Sequence, residues 1–175
     1  WSWVRLSLAT EIVTMTHRGL LHHTLIFVSD MSRSSPFYTG MFEYLGYDLA
    51  GSNLSDGSLK YEDWKRWDTD TPHEISICEA NERHAETPHV PGAVGHHHHM
   101  AFCAIDRADI DRFYTEVLVP LQDQGLCEIE DPPCDCPEYG EGYYATFFRD
   151  PDGLKYEYVL NPNHLRKRAE RESTT

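Results

Sequence analysis

The sequence predicts an α+β fold in which a βαβββ module occurs twice. Three observations carry that expectation: an internal repeat, a strand-then-helix order in each copy, and turn chemistry that closes the last hairpin. The repeat is the strongest of the three. The stretch "HTLIFVSDMSRSSPFYTGMFEYL", from His23, lies over "HMAFCAIDRADIDRFYTEVLVPL", from His99, with no gap and a constant offset of 76. His23 falls on His99, Asp30 on Asp106, Phe37-Tyr38-Thr39 on Phe113-Tyr114-Thr115, and Leu45 on Leu121. Six matches in one register, a His and an Asp among them, indicate duplication of a supersecondary unit.

The elements follow in order. "TLIFV" and "MAFCAI" are short, apolar and partly β-branched or aromatic, as strands are. Asp30 or Ser32, and Asp106, are placed to cap the helices that follow. Phe37, Met41 and Leu45 recur every fourth residue, as do Phe113, Val117 and Leu121, so each helix has one apolar face. Gly46 and Gly125 stand where those helices end. In the first copy "SLKYEDWKRW" and "HEISICEA" read as strands around the turn "DTDTP". In the second, "LCEIED" reads as a strand before a loop "PPCDCPEYGEG". "GYYATFFRD" and "LKYEYVL" then flank "DPDG", where Pro fixes φ and Gly permits the reversal. The organisation is an N-terminal extension over 1–19, a first module over 20–92, a second over 93–162 and a charged tail over 163–175.

Composition narrows the function. The chain has 175 residues, of which 40% are hydrophobic, enough for a shared core. A net charge of -14 repels phosphate backbones and anionic lipid, so neither nucleic acid nor a membrane is an expected partner. No apolar run approaches the roughly 18 residues of a membrane span. Five cysteines, an odd count with two in strand-like runs, argue for reduced thiols and a cytoplasmic protein. Cys134 and Cys136 have no second pair at a matching spacing and read as incidental thiols in a Pro-rich loop.

The histidine run "GHHHHM" at 95–100 resolves through the repeat. Only His99 has a repeat partner, His23. If the strand starts at His99, strand alternation turns His98 the opposite way, and His22 opposite to His23. His96 and His97 then belong to the linker, and His23 and His99 are expected to face inward. The module ends align too: "RWDTDTPHE" resembles "RDPDGLKYE", which makes Glu74 the counterpart of Glu157. Two histidines and one or two glutamates, placed equivalently in a duplicated fold, suit one divalent ion of the Zn, Ni, Co, Mn or Fe type.

These stretches, with "LHHTLIFVSD…FYTGMFEYLGYDL" and "YGEGYYATFFRDPDGLKYEYV", resemble the vicinal oxygen chelate superfamily. That group includes glyoxalases, fosfomycin- and bleomycin-resistance proteins and extradiol dioxygenases. The likeness spans roughly residues 20 to 160, and "FxRDPDGxxxE", from Phe147 to Glu157, is its most specific part. The resemblance implies paired βαβββ modules forming an open, cupped mixed sheet around one metal. It implies His23, His99 and Glu157 as ligands and Glu74 as the fourth ligand of the glyoxalase I branch. His73 and Glu79 compete for that fourth position, and Leu154 replaces the family's usual Asn. The implied chemistry is chelation of two neighbouring substrate oxygens, with Glu157 or Glu74 moving a proton. A small-molecule substrate, a homodimer and an isomerase or lyase reaction follow by the same route. Without Glu74 the remaining triad suits Fe(II) and an oxygenase. A metal-free ligand-sequestering protein is the third reading. Trp64, Trp67, Tyr144 and Phe147 are the expected pocket wall.

Overall fold

The computed structural model describes residues 21–67, 73–87, 89–90 and 92–162. The expected extension over 1–19, the tail over 163–175 and the "DTDTP" turn lie outside the described residues. The first module runs β1 (His23–Val28), α1 (Met31–Tyr44), β2 (Asp48–Asn53), β3 (Tyr61–Arg66) and β4 (His73–Glu79). The second runs β5 (His99–Cys103), α2 (Arg107–Phe113), a π-helical turn (Tyr114–Leu118), α3 (Val119–Asp123), β6 (Glu128–Asp135), β7 (Tyr144–Arg149) and β8 (Lys155–Leu160). The strands form two separate four-stranded mixed sheets, ordered β1-β4-β3-β2 and β5-β8-β7-β6. In each, the first strand pairs parallel with the last and every other pairing is antiparallel.

Local chemistry explains the helix ends. The Asp30 carboxylate accepts from the Ser32 backbone N–H at 2.8 Å, and Asp106 from the Asp109 N–H at 2.7 Å. Each cap satisfies a first-turn donor that has no partner within its helix. Gly46 ends the first helix at φ +79°. A Cβ there would meet nothing closer than Arg66 Nη1 at 3.7 Å, so a Gly46→Ala substitution carries a conformational penalty only. It is expected to lower stability by about 1–2 kcal/mol. A urea midpoint equal to the wild type's contradicts this.

Three elements differ from expectation. The second helix is not continuous. Pro120 has no N–H to give the turn before it, and the ladder widens into the π segment just ahead. β2 has little strand propensity in "DLAGSN" and is held by pairing with β3, with a register slip between Leu49 and Gly51. β6 runs on to Asp135 through two prolines that read as loop. It is the outer strand of its sheet, with irregular register on both sides of Asp131, and outer strands tolerate proline.

One core joins the modules. Phe37, Tyr38 and Met41 of α1 and Ile110 and Phe113 of α2 are fully buried with Phe148 and Tyr156 of the second sheet. The Tyr38 hydroxyl donates to Asp150 at 2.6 Å and lies 3.0 Å from the Tyr156 hydroxyl. Tyr44 and Tyr158 donate to the Asp109 carboxylate from the two modules, at 3.0 and 2.5 Å. Alternation along each strand therefore divides the sheets into a helix face, packed in this core, and an outer face.

Candidate functional site

The outer face carries His23, Leu25 and Phe27 on β1 and His99, Ala101 and Cys103 on β5. Both histidines are exposed, each at the start of a strand whose parallel partner brings a glutamate. On the second sheet, His99 Nε2 lies 3.5 Å from Glu157 Oε2. Glu157 is 3% exposed, and Tyr143 donates its hydroxyl to Oε1 at 2.6 Å. Burial, and then the adjacent carboxylate, push the Tyr143 phenol well above its ordinary value, so it stays a donor. Cys136, Ala145, Phe147 and Val159 pack around this carboxylate's strand, with Cys134 and Tyr143 against them. The two sulfurs sit 3.8 Å apart, and burial pushes Cys136 up to about 12, which keeps it a thiol rather than a ready thiolate ligand.

On the first sheet, Glu74 pairs directly with His23 across the β1–β4 ladder. Its carboxylate is ion-paired with Lys65 at 3.1 Å. Strand register corrects the correspondence drawn from the module ends. Ala101 pairs with Glu157, and the 76-residue offset places Leu25 at Ala101's position; Leu25 pairs with Ser76. The structural counterpart of Glu157 is therefore Ser76, and that of Glu74 is Lys155. The sequence alignment matched turn chemistry, whereas the ladder counts residues from the strand starts. Ser76 donates to Asp63 at 2.6 Å. Of the competing residues, His73 is exposed at the strand start, and Glu79 is taken by the Met31 N–H and Lys60.

His22 and His98 do not turn away from their neighbours. Nδ1 of His22 lies 3.1 Å from Nδ1 of His23, and the His98–His99 pair repeats this at 2.7 Å. Both precede the first strand residue, so strand alternation does not govern them. His96 lies in the linker, its ring 5.7 Å from that of His89.

Three of the four residues expected in the pocket wall lie elsewhere. Phe147 lies on the outer face beside Glu157's strand. Trp64 is 1% exposed on the helix face, where its indole N–H reaches Glu62, so it is core packing. Tyr144 also faces the helices, bonded to Asp111 and stacked under Arg107. Trp67 is solvent-exposed past the end of β3. Alternation back from Phe147 leads to Ala145 and then Tyr143; that parity was the available signal for the residue that reaches Glu157. Removing its hydroxyl with Tyr143→Phe is expected to weaken metal affinity roughly 10- to 100-fold, the range for partners that orient a ligand. Isothermal titration with Zn2+ and with Ni2+ measures it, and unchanged affinity contradicts it.

The described residues contain no group of three or more His, Cys, Asp or Glu placed to hold an ion. Each sheet instead carries half of a donor set: His99 with Glu157, and His23 with Glu74. Imidazole and carboxylate together suit a borderline divalent ion, so the donor chemistry fits one.

Fold and half-sites together define a class: two βαβββ modules, each opening on a histidine strand. The chain belongs to the Glyoxalase/Bleomycin resistance protein/Dioxygenase superfamily, whose family profile matches residues 20–158. An uncharacterized Bacillus subtilis protein, YqjT, is 29% identical over 142 residues, covering 79% of this chain and 97% of that one. The crystal structure of a glyoxalase family protein from Enterococcus faecalis is similar at TM-score 0.54 and 26% identity, over 82% of this chain and 98% of that one. A glyoxalase-related enzyme from Fulvimarina pelagi shares the fold at TM-score 0.55 and 16% identity, over 82% and 89% of the two chains.

Proposed function

We propose that this protein is a metal-dependent lyase or isomerase acting on a small oxygenated metabolite, with one divalent ion held by His23, His99 and Glu157. The observation that carries the proposal is the buried Glu157 carboxylate, held by Tyr143 and facing His99. A divalent ion in such a donor set acts as a Lewis acid on neighbouring substrate oxygens. Within this reading Tyr143 fixes the Glu157 carboxylate and keeps its own proton at Oη. Glu74, in register with His23 and compensated by Lys65, is the carboxylate placed to move a substrate proton. Phe147 supplies an apolar wall.

The proposal includes a second copy of the chain. His23 and His99 stand on different sheets, and the first outer face leaves Leu25 and Phe27 45% and 63% exposed. A homodimer that lays the His23 sheet of one copy against the His99 sheet of another assembles the donor set and covers those side chains. No described helix is long and apolar enough to cross a membrane. The five free thiols support a cytoplasmic location.

Ser76 at the register position of Glu157 favours a second reading. Two histidines and one carboxylate are the donor set of Fe(II) oxygenases. Metal analysis of untagged protein beside His99→Ala tests both. The expected result is one equivalent of metal, lost in the variant, which keeps His96, His97 and His98. Iron with substrate-dependent oxygen uptake selects the oxygenase; turnover without oxygen selects the lyase or isomerase. Absence of metal, or metal unaffected by the substitution, sinks the site and leaves a ligand-sequestering protein.

A further inference from the structure

The histidine that precedes each histidine strand recurs with the repeat. His22 and His98 are 76 positions apart, the offset that relates His23 to His99. Their contacts recur as well. The Nδ1 atoms are 2.7 Å apart in the His98–His99 pair and 3.1 Å apart in the His22–His23 pair. The rings meet edge to face in both, at interplanar angles of 78° and 88°. The same arrangement therefore arises at the start of both sheets.

At these distances one proton lies between the two nitrogens. Two N–H groups would clash and two bare lone pairs would repel, so one ring donates and its neighbour accepts. The contact engages Nδ1 and leaves Nε2 as the nitrogen of His23 and His99 open to an ion. His99 Nε2 faces Glu157 Oε2 at 3.5 Å, on the side where that carboxylate would share an ion with it. A ligating Nε2 carries no proton, so the ring's proton sits on Nδ1 and the group accepting it fixes the ring. Nδ1 of the preceding histidine is placed to accept.

We propose that His22 and His98 are positioning residues for the metal ligands. Each accepts from Nδ1–H of the next histidine and holds that ring in the tautomer and orientation that present Nε2. Neither touches the ion. The inference rests on the metal reading above and divides the work of each adjacent pair: one ring ligates, the other orients it.

Calorimetric titration of the full chain with Zn2+ separates this from ring packing. His98→Phe keeps an aromatic ring and removes the acceptor. His98→Asn removes the ring and keeps an acceptor, its Oδ1, at the Nδ1 position. His98→Phe is expected to bind roughly tenfold more weakly, the lower end of the range for a partner that orients a ligand. The lower end applies because the His99 side chain is 38% exposed, and water replaces part of the lost hydrogen bond. His98→Asn should recover most of the wild-type affinity. His22→Phe and His22→Asn should repeat that order. Nitrogen-15 spectra of the Zn2+-loaded wild type should show His99 bound through Nε2 and protonated at Nδ1, with neither nitrogen of His98 on the metal. Wild-type affinity in His98→Phe, or an Asn variant as weak as the Phe variant, overturns the inference. A metal-bound nitrogen on His98 overturns it too, by making that residue a ligand. Metal retained by His99→Ala, or none bound by the wild type, instead sinks the metal reading and this inference with it.

Discussion

Chains carrying His23→Ala and chains carrying His99→Ala are each expected to lose the site metal, and mixing them should restore about a quarter of the wild-type content. In a symmetric dimer whose site takes one sheet from each copy, half of the mixed population pairs one variant with the other. Each such dimer has one site with both substitutions and one with none. If a single chain built the whole site, every chain in the mixture would carry a defect and mixing would restore nothing. The measurement is metal per chain after denaturation, mixing and refolding, followed through a gel-filtration peak. Metal retained by either variant alone, or none regained on mixing, rejects the shared site. Adventitious binding by the histidine run is measured in each variant alone and subtracted, since His23→Ala keeps all four of its histidines and His99→Ala keeps three.

Asp150→Asn should flatten the pH dependence of stability between pH 4 and 7. Asp150 is 4% exposed, and burial pushes its carboxyl up to about 6 from 3.8, with Asp152 adding to the rise. The hydrogen bonds from Tyr38 and the Leu154 N–H act against that rise without cancelling it. A raised acid binds its proton more tightly folded than unfolded. Its contribution is therefore whole below about pH 4, falls as pH rises, and is gone above about 6. The expected difference across that window is about 3 kcal/mol. Asn keeps the shape and can still meet Tyr38 and the two backbone N–H groups, without the titration. Urea unfolding of both proteins at several pH values isolates the effect, because the other carboxylates are common to both. Parallel stability curves would refute it.

Much of this fold was legible because its strongest signals are local. The Asp30 and Asp106 caps, the Phe37-Met41-Leu45 stripe and the Gly46 stop each act within a turn or two of chain. The doubled "HxxxxxxD…FYT" pattern then pointed to two modules, each opening on a histidine strand. What stayed hidden depends on partners distant in sequence. "DLAGSN" becomes a strand because β3 lies beside it. "PPCD" extends a strand because it lies at an outer edge, where missing donors cost little. Glu74 was matched to Glu157 through turn residues, and only ladder pairing shows that Ser76 holds the equivalent place. Trp64 illustrates a parity error of the same kind: one residue along a strand separates core from pocket. Whether the two half-sites meet is set by how sheets pack against one another, which periodicity does not encode.

The parallel pairing of first and last strand in each module has a consequence for synthesis. β1 has no partner strand in its sheet until β4 has been made, and β5 must wait for β8. Meanwhile the β2–β3 and β6–β7 hairpins, whose strands precede β4 and β8, close first. A nascent chain therefore carries each histidine strand as an unpaired ribbon until its module's final strand leaves the ribosome. The second ribbon must wait until β8, Lys155–Leu160, has been made. During that interval the exposed β-edges are the segments a chaperone would shield, and the half-sites form only after the long-range parallel ladders close.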